Sequence, residues 1–344
     1  MDIPPTAQAV LLTEPGRVEV IEVPVGSPEP DELLVEVTAA GICGSDVELF
    51  AGTRPAEFVR YPVVPGHEWA GRVAATGSAV RGFSVGDPVV AQGLRWCGEC
   101  ARCLDGATNL CLAGYRETGF TEPGAFARYL RIPARLALRL PGDRSVEAAA
   151  LLEPAACVVS SVLTGAPTTG QRIAVVGGGT LGLIAVQLLA AFRPVELVLV
   201  DDRADRRSLA ARTGATATMT AAEFADAKLD ADLVIEAAGG ATSARAAMRA
   251  ARRGGTVVLL GIPGNGAAGL DPVELVGAEL HVHGVFGARA ASWPLAVGYF
   301  ADGRLDLDAL VSHRFPLHEV GAAIATAGRR APGLGKVLLR PTAN

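Results

Sequence analysis

The order of apolar and polar positions changes character once along the chain, near residue 172. Before that point short runs alternate with the period of two that a half-buried strand needs, as in Val18-Glu19-Val20-Ile21-Glu22-Val23 and Leu33-Leu34-Val35-Glu36-Val37. Pro, Gly and Glu turns separate them, and runs of this kind recur to about Val90, which predicts a small β-rich domain. After it, continuously apolar strands alternate with helical stretches. Ile173-Ala174-Val175-Val176 leads into a helical run at 183–192, and Glu196-Leu197-Val198-Leu199-Val200 into another at 203–213. Strands at 232–237, 256–260 and 279–286 follow, with a helix at 243–252 and a glycine-rich loop at 261–269. Such alternation predicts an α/β domain with a doubly wound parallel sheet. Residues 292–344 hold two helical runs and a final strand, Lys336-Val337-Leu338-Leu339-Arg340.

Length agrees with two domains, since 344 residues exceed what one core usually organises. Half of the residues are apolar and 19% charged, the balance of a globular protein with a large core. A net charge of −5 without any basic run argues against nucleic acid or an anionic membrane as partner. The N-terminus lacks a basic segment followed by an apolar one. The best apolar run, at 181–192, is interrupted by Gln187 and falls short of the roughly 20 residues a span needs. We expect a soluble, cytoplasmic protein. Six cysteines, four of them at 97–111, are too clustered for a secreted disulfide framework and suit a metal site in a reducing compartment.

Three constellations carry chemistry. Gly177-Gly178-Gly179-Thr180-Leu181-Gly182 is a G-x-G-x-x-G turn between a strand and a helix, which places backbone N–H groups and a helix N-terminus against a pyrophosphate. Asp201 ends the next strand, where a carboxylate grips the adenosine ribose hydroxyls and repels a 2′-phosphate, so the expected cofactor is NAD. Arg203, Arg206 and Arg207 nearby would favour the opposite choice. Cys97, Cys100, Cys103 and Cys111 form C-x2-C-x2-C-x7-C, a spacing for a closed tetrahedral zinc that ties down a lobe with little apolar surface. An iron–sulfur cluster is the rival, but Leu112 stands where ferredoxins place Pro. Third, Cys43, His67 and Glu153 offer a thiolate, an imidazole and a carboxylate, the ligand types of a zinc site with an open position. Asp46 is placed to orient His67 by accepting its second N–H. His281 and His283 point the same way on one strand, lack a third partner and read as structural.

Together the segments 41–46, 66–71, 97–111, Glu153-Pro154, 177–182 and Asp201 resemble, in order, the zinc-dependent medium-chain dehydrogenase/reductase family over nearly the whole chain. The resemblance implies a GroES-like catalytic domain at 1–152, completed by 290–344, a Rossmann domain at 153–289, and an active site in the cleft. It implies two zinc ions per chain, the catalytic one on Cys43, His67 and Glu153. A glutamate in third position is similar to the sorbitol, threonine and polyol branch, in which the carboxylate after the histidine, here Glu68, also lies near the metal. The implied reaction moves a hydride from a secondary alcohol to NAD, with Ser45 taking the hydroxyl proton. Many relatives pass that proton to a histidine five residues after the cysteine; this chain has Glu48 there, so either Glu48 relays the proton or water does. Segments 61–69 and 118–121 look like those of aminocyclitol-pathway dehydrogenases that oxidise 2-deoxy-scyllo-inosamine. The expected substrate is therefore a cyclitol, amino-cyclitol or sugar alcohol, and the expected assembly a homodimer or homotetramer. The alternatives are a zinc-free reductase of the superfamily and a non-redox, NAD-assisted epimerase.

Overall fold

A computed structural model describes residues 3–141, 143–263, 267–329 and 331–342. The chain divides into two compact units, one of Met1–Glu153, Arg289–Gly303 and Leu307–Asn344, the other of Pro154–Ala288 and Arg304–Asp306. The first opens with a hairpin of β1 (Thr6–Glu14) and β2 (Arg17–Pro24), then β3 (Glu32–Ile42), the short helix α1 (Gly44–Ala51), β4 (Glu68–Thr76) and β5 (Pro88–Ala91). The single turn α2 (Ala101–Leu104), β6 (Tyr129–Pro133), β7 (Ala137–Arg139) and α3 (Leu152–Gly165) follow, the unit boundary falling in the first turn of α3.

The second unit runs β8 (Arg172–Val176), α4 (Thr180–Ala190), β9 (Glu196–Val200), α5 (Ala204–Thr213), β10 (Ala217–Met219), α6 (Ala221–Asp226), β11 (Ala231–Glu236), α7 (Ser243–Ala250), β12 (Ala251–Leu259), α8 (Pro272–Ala278) and β13 (His281–Gly284). The chain then returns to the first unit as α9 (Ser292–Ala301), β14 (Val311–Pro316), α10 (Val320–Ala327) and β15 (Lys336–Arg340).

In the second unit six strands are ordered β10-β9-β8-β11-β12-β13 with every pairing parallel. That is the doubly wound dinucleotide-binding order, whose switch point lies between its first and fourth strands, here β8 and β11. Helices on both faces bury β8, which explains why it reads as an unbroken apolar run. Gln187 interrupts apolar α4 yet is buried, because its amide exchanges hydrogen bonds with the backbone of Asp306 (Oε1 from N, 2.7 Å; Nε2 to O, 3.3 Å). Ala148–Gly165 is the one helical stretch among the described residues long and apolar enough to cross a membrane; 78% of it is buried. It is a longer candidate than 181–192, since its polar interruptions hide it from a search for continuous runs.

Seven strands make the first unit's sheet, in the order β14-β15-β3-β4-β5-β7, with β6 also on β3. Alternation along β3 splits its side chains: Leu33, Val35 and Val37 enter the main core with Trp69, Val73 and Phe126, while Leu34 packs with Ala7 and Val25 on the other face. The central trio of β15, β3 and β4 is what brings residues from both ends of the chain together.

The structure shifts several expected boundaries. The helix expected at 243–252 ends at Ala250, and β12 begins at once. Register shifts between Ala231 and Leu233 of β11, and Gly254 (φ +68°) lets β12 bulge ahead of the strand expected at 256–260. The strand expected at 279–286 is only His281–Gly284, because Glu279 (φ +52°) caps α8. Neither β10 nor α6 was anticipated, although Thr220 and Glu223 form the reciprocal cap of α6 that T-x-x-E announces. Residues 264–266 of the expected glycine-rich loop lie outside the described residues.

Glycines set the closeness of β3 and β4. A Cβ at Gly71 would stand 2.3 Å from the Glu36 carbonyl oxygen, and neither backbone can yield without breaking the ladder. Gly71→Ala is therefore expected to cost about 1–3 kcal/mol, as overpacking of a core does. Gly277→Ala, on α8 with nothing within 4 Å of the added methyl, should be neutral or gain a fraction of 1 kcal/mol. Paired thermal melts check the contrast; an unchanged melting temperature for Gly71→Ala contradicts it.

Candidate active site

Cys43 lies between the end of β3 and the start of α1, in extended conformation (φ −100°, ψ 166°), as the helix N-cap. Asp46 fixes it: one carboxylate oxygen accepts the Cys43 N–H at 2.8 Å, and the other stands 3.5 Å from His67 Nδ1. Asp46 is fully buried, so one acidic side chain ties two candidate ligands together. His67 precedes β4 behind Gly66 (φ +97°), whose left-handed backbone suits glycine and whose missing Cβ leaves room for Phe126.

Glu68 opens β4 opposite Gly41 on β3, and Lys336 opens β15 on the other side of β3. A Cβ at Gly41 would meet both side chains, 2.3 Å from Glu68 Oε2 and 2.9 Å from Lys336 Cε. The glycine is what admits their ion pair, in which the carboxylate and ammonium are both buried. Burial alone would lower the Lys336 pKa; the Glu68 carboxylate, then Cys43, raise it above the ordinary value.

One ligand atom each of Cys43, His67 and Glu68 lies within 4.8 Å of the others. Burial opposes an imidazolium at His67, but the Asp46 carboxylate and Cys43 outweigh it and hold the pKa well above 6.5. Asp46 Oδ1 and His67 Nδ1 are buried facing each other, longer than a good hydrogen bond, and the buried Glu68 Oε2 meets the Lys336 ammonium. A thiol, an imidazole and a carboxylate converging on one space, with the Asp46 carboxylate behind the imidazole, fit a divalent zinc. Glu153, second residue of α3, is outside this ligand group. Ser45 Oγ is 3.9 Å from Cys43 Sγ, and Glu48 lies three residues further along α1, where i and i+3 share a face.

A second set of residues beside His67 escaped the sequence reading. The Phe120 ring packs 4.7 Å from the imidazole, and the Arg54 guanidinium lies 3.9 Å over Phe120. Arg54 Nη2 donates to the Tyr115 hydroxyl at 2.9 Å, which in turn donates to Glu117. Burial raises the Glu117 pKa, against the pull of His67 and Arg54. Phe120 sits in the already noted 118–121 segment, but nothing in the polar loop around Arg54 pointed to it. Lys336 did leave a signal: it opens a strand buried over most of its length, a place where lysine needs a partner.

The four-cysteine segment brings its thiols within 4.8 Å of one another. Cys97 Sγ is 3.5 Å from Cys111 Sγ and 3.9 Å from Cys103 Sγ, near the roughly 3.8 Å edge of a sulfur tetrahedron around zinc. The Leu112 N–H, then that of Cys103, pulls the Cys100 thiol down to about 6, whereas burial pushes Cys103 up to about 12. Leu104 and Leu112 are exposed, so the lobe has little core of its own and the donor set fits a closed zinc.

In the second unit Gly177 (φ +103°) turns the chain from β8 toward α4, and a Cβ at Gly182 would fall 1.7 Å from the Gly177 carbonyl oxygen. Gly179 caps α4, which begins at Thr180 and Leu181, so the helix N-terminus faces the turn. Asp201 follows β9 and is engaged on both oxygens. Gly178 N–H donates to Oδ2 at 2.7 Å and Arg203 N–H to Oδ1 at 2.9 Å, and the Arg203 guanidinium forks onto both at 2.9 Å. Burial would raise the Asp201 pKa, but these bonds lower it overall. His281 and His283 are on edge strand β13 and belong to no metal-ligand group among the described residues.

Residues 29–142 match the family described as Alcohol dehydrogenase GroES-like domain, and residues 180–302 the one described as Zinc-binding dehydrogenase. Sorbitol dehydrogenase of Bacillus subtilis is 29% identical over 98% of both chains. L-threonine 3-dehydrogenase of Pectobacterium carotovorum is 30% identical over 92% of this chain and 94% of its own. Among solved structures, a zinc-binding dehydrogenase of Sinorhizobium meliloti bound to NADP superposes with a TM-score of 0.91 at 33% identity, covering 98% and 99% of the two chains. The RspB alcohol dehydrogenase of Escherichia coli in complex with NADH gives 0.90 at 26%, covering 98% and 100%. With this likeness along its whole length, and with the donor sets just described, the chain belongs to the zinc-dependent medium-chain alcohol and polyol dehydrogenases, enzymes built from a GroES-like and a Rossmann domain.

Proposed function

We propose that the protein transfers a hydride between NAD and a secondary alcohol of a small polyhydroxylated molecule, a cyclitol, amino-cyclitol or sugar alcohol. The observation that carries this reading is the group of half-buried Cys43 with buried His67 and Glu68, and Asp46 behind it. The domains proposed are residues 1–152 with 290–344 for catalysis and 153–289 for the dinucleotide.

Cys43, His67 and Glu153 hold the catalytic zinc; Cys97, Cys100, Cys103 and Cys111 hold a second one. Glu153 is preferred over Glu68 on grounds of charge. Glu68 is paired with Lys336, and withdrawing it toward a metal would strand a buried ammonium at about 3–5 kcal/mol. When bound, zinc acidifies the substrate hydroxyl and the nicotinamide accepts the hydride. Ser45 takes the hydroxyl proton, and Glu48, on the same face of α1, passes it outward. The turn at Gly177, Gly179 and Gly182, with Thr180 and Leu181, holds the pyrophosphate, and Asp201 the adenosine ribose. Six free cysteines, four of them clustered, suit a cytoplasmic setting.

The polar wall supports the substrate class. Beside an alkyl chain the oxygens of Ser45 and Glu48 would lose the hydrogen-bonding partners that a polyhydroxylated substrate supplies, at about 1–3 kcal/mol each. Relatives named for sorbitol and, among structures, for galactitol 1-phosphate agree with a polyol. Among the described residues edge strand β13 pairs with β12 alone, and exposed Val273 and Val276 on neighbouring α8 favour a homo-oligomer joined along that edge.

Cys43→Ser and His67→Ala should each lose one of two zinc ions by metal analysis and lower kcat about 1,000-fold or more. Cys100→Ser and Cys111→Ser should lose the other ion and lower the melting temperature. Glu153→Ala should lose catalytic zinc in part. Full zinc in that variant, together with loss in Glu68→Gln, would make Glu68 the third ligand instead. A screen for NADH formation over cyclitols, amino sugars, alditols, threonine and short alcohols should show turnover on the polyhydroxylated compounds; turnover confined to alkyl alcohols overturns the substrate class, and conversion without NADH release points to an epimerase. Light scattering should return a dimer or tetramer, and Val276→Glu should weaken it.

A further inference from the structure

The carboxylate expected to reject a 2′-phosphate is not a bare charge. Asp201 has only 10% of its side chain exposed, and both of its oxygens are taken up by Arg203 and by backbone N–H groups. The pair is electrically neutral. A neutral pair does not exclude a phosphate dianion as a lone carboxylate would.

Arg203 retains donors after pairing. Its fork uses Nε and Nη2, leaving both N–H bonds of Nη1 and one of Nη2 without a partner among the described residues, on a side chain 30% exposed. The guanidinium can therefore hold Asp201 on one edge and a second oxyanion on another. Arg206, in an ion pair with Asp205, places a second guanidinium nearby. Its Cβ lies 3.0 Å from where a Gly178 Cβ would stand, against the glycine-rich turn, and its side chain is buried. Its Nε has no hydrogen-bond acceptor, the Asp205 carboxylate standing 3.5 Å away. Arg207 Nη1 bonds the carbonyl oxygens of Asp201 and Asp202 at 2.7 and 2.9 Å, which stiffens the loop carrying Arg203.

We propose that Arg203 is a specificity-determining residue that bridges Asp201 to an adenosine 2′-phosphate, with Arg206 beside it, so that the ribose end of the site accepts NADP as well as NAD. This rests on the dinucleotide reading of the glycine-rich turn. It changes the meaning of Asp201 from a filter against phosphate to the anchor of the arginine that binds one. NAD still binds, because its ribose hydroxyls need only the outer lone pairs of Asp201 or the donors of Arg203.

Calorimetric titration of the zinc-loaded, full-length protein with ADP and with 2′,5′-ADP tests this without any turnover. Wild type should bind 2′,5′-ADP within about tenfold of ADP, or more tightly. Arg203→Gln should weaken 2′,5′-ADP by about 10- to 100-fold while changing ADP by less than about threefold; Arg203→Lys, which keeps the charge and loses the fork, should fall between. ADP binding without measurable 2′,5′-ADP binding in wild type overturns the inference and leaves the dinucleotide site standing. Equal losses for both nucleotides in Arg203→Gln would reduce Arg203 to a structural brace of the loop and overturn it as well. If neither nucleotide binds wild type, the dinucleotide reading falls together with it.

Discussion

Charge buried without water must be met by charge or by directed hydrogen bonds, and the candidate active site is arranged around that constraint. Asp46, Glu68 and Cys43 bring potential negative charge into one pocket, and Lys336 brings the only ammonium found there among the described residues. Lys336 neutralises Glu68, Asp46 leans on His67 and the Cys43 N–H, and what remains is a thiol and an imidazole facing a space that suits a dication. Removing any one charge would leave its partner uncompensated. The arrangement therefore depends on β15, β3 and β4 lying side by side, since Lys336, Gly41 and Glu68 come from those three strands.

The same logic governs close approach. Gly41 clears space for an ion pair, Gly66 for an aromatic ring, Gly71 for the neighbouring strand and Gly182 for the preceding turn. In each case a side chain is omitted so that a neighbouring group can come nearer than a methyl would allow. A chain with 41 glycines uses some of them in open turns, Gly16, Gly82 and Gly86 among them, whereas each of these four has a neighbour where its Cβ would stand.

Legibility in the sequence followed the range of the interaction. The strand β15 and the Gly177 turn were readable because a few consecutive residues carry the whole pattern, and the four cysteines because their spacing is itself the ligand geometry. The bulged start of β12, before the expected strand at 256–260, and the three-residue β10 were not, since their pairing is decided by the neighbouring strand and not by their own alternation. The polar wall beside His67 was missed for a related reason. Arg54 meets Tyr115 across 61 residues, and Lys336 meets Glu68 from the opposite end of the chain, so no local window contains either pair.

Asp201 shows the limit of reading a motif residue by residue. A carboxylate at the end of the second Rossmann strand is a reliable mark of a ribose site, but its effect on a 2′-phosphate depends on whether its charge is free. Arg203, two residues on, would share the face of Asp201 in a continuing strand but stand further along it; here the chain turns, Arg203 caps α5 with an extended backbone, and its guanidinium folds back along its own N–H onto the same carboxylate. The motif supplies the position of the charge, and the turn that follows it decides whether a ligand meets an anion or a neutral pair with donors to spare.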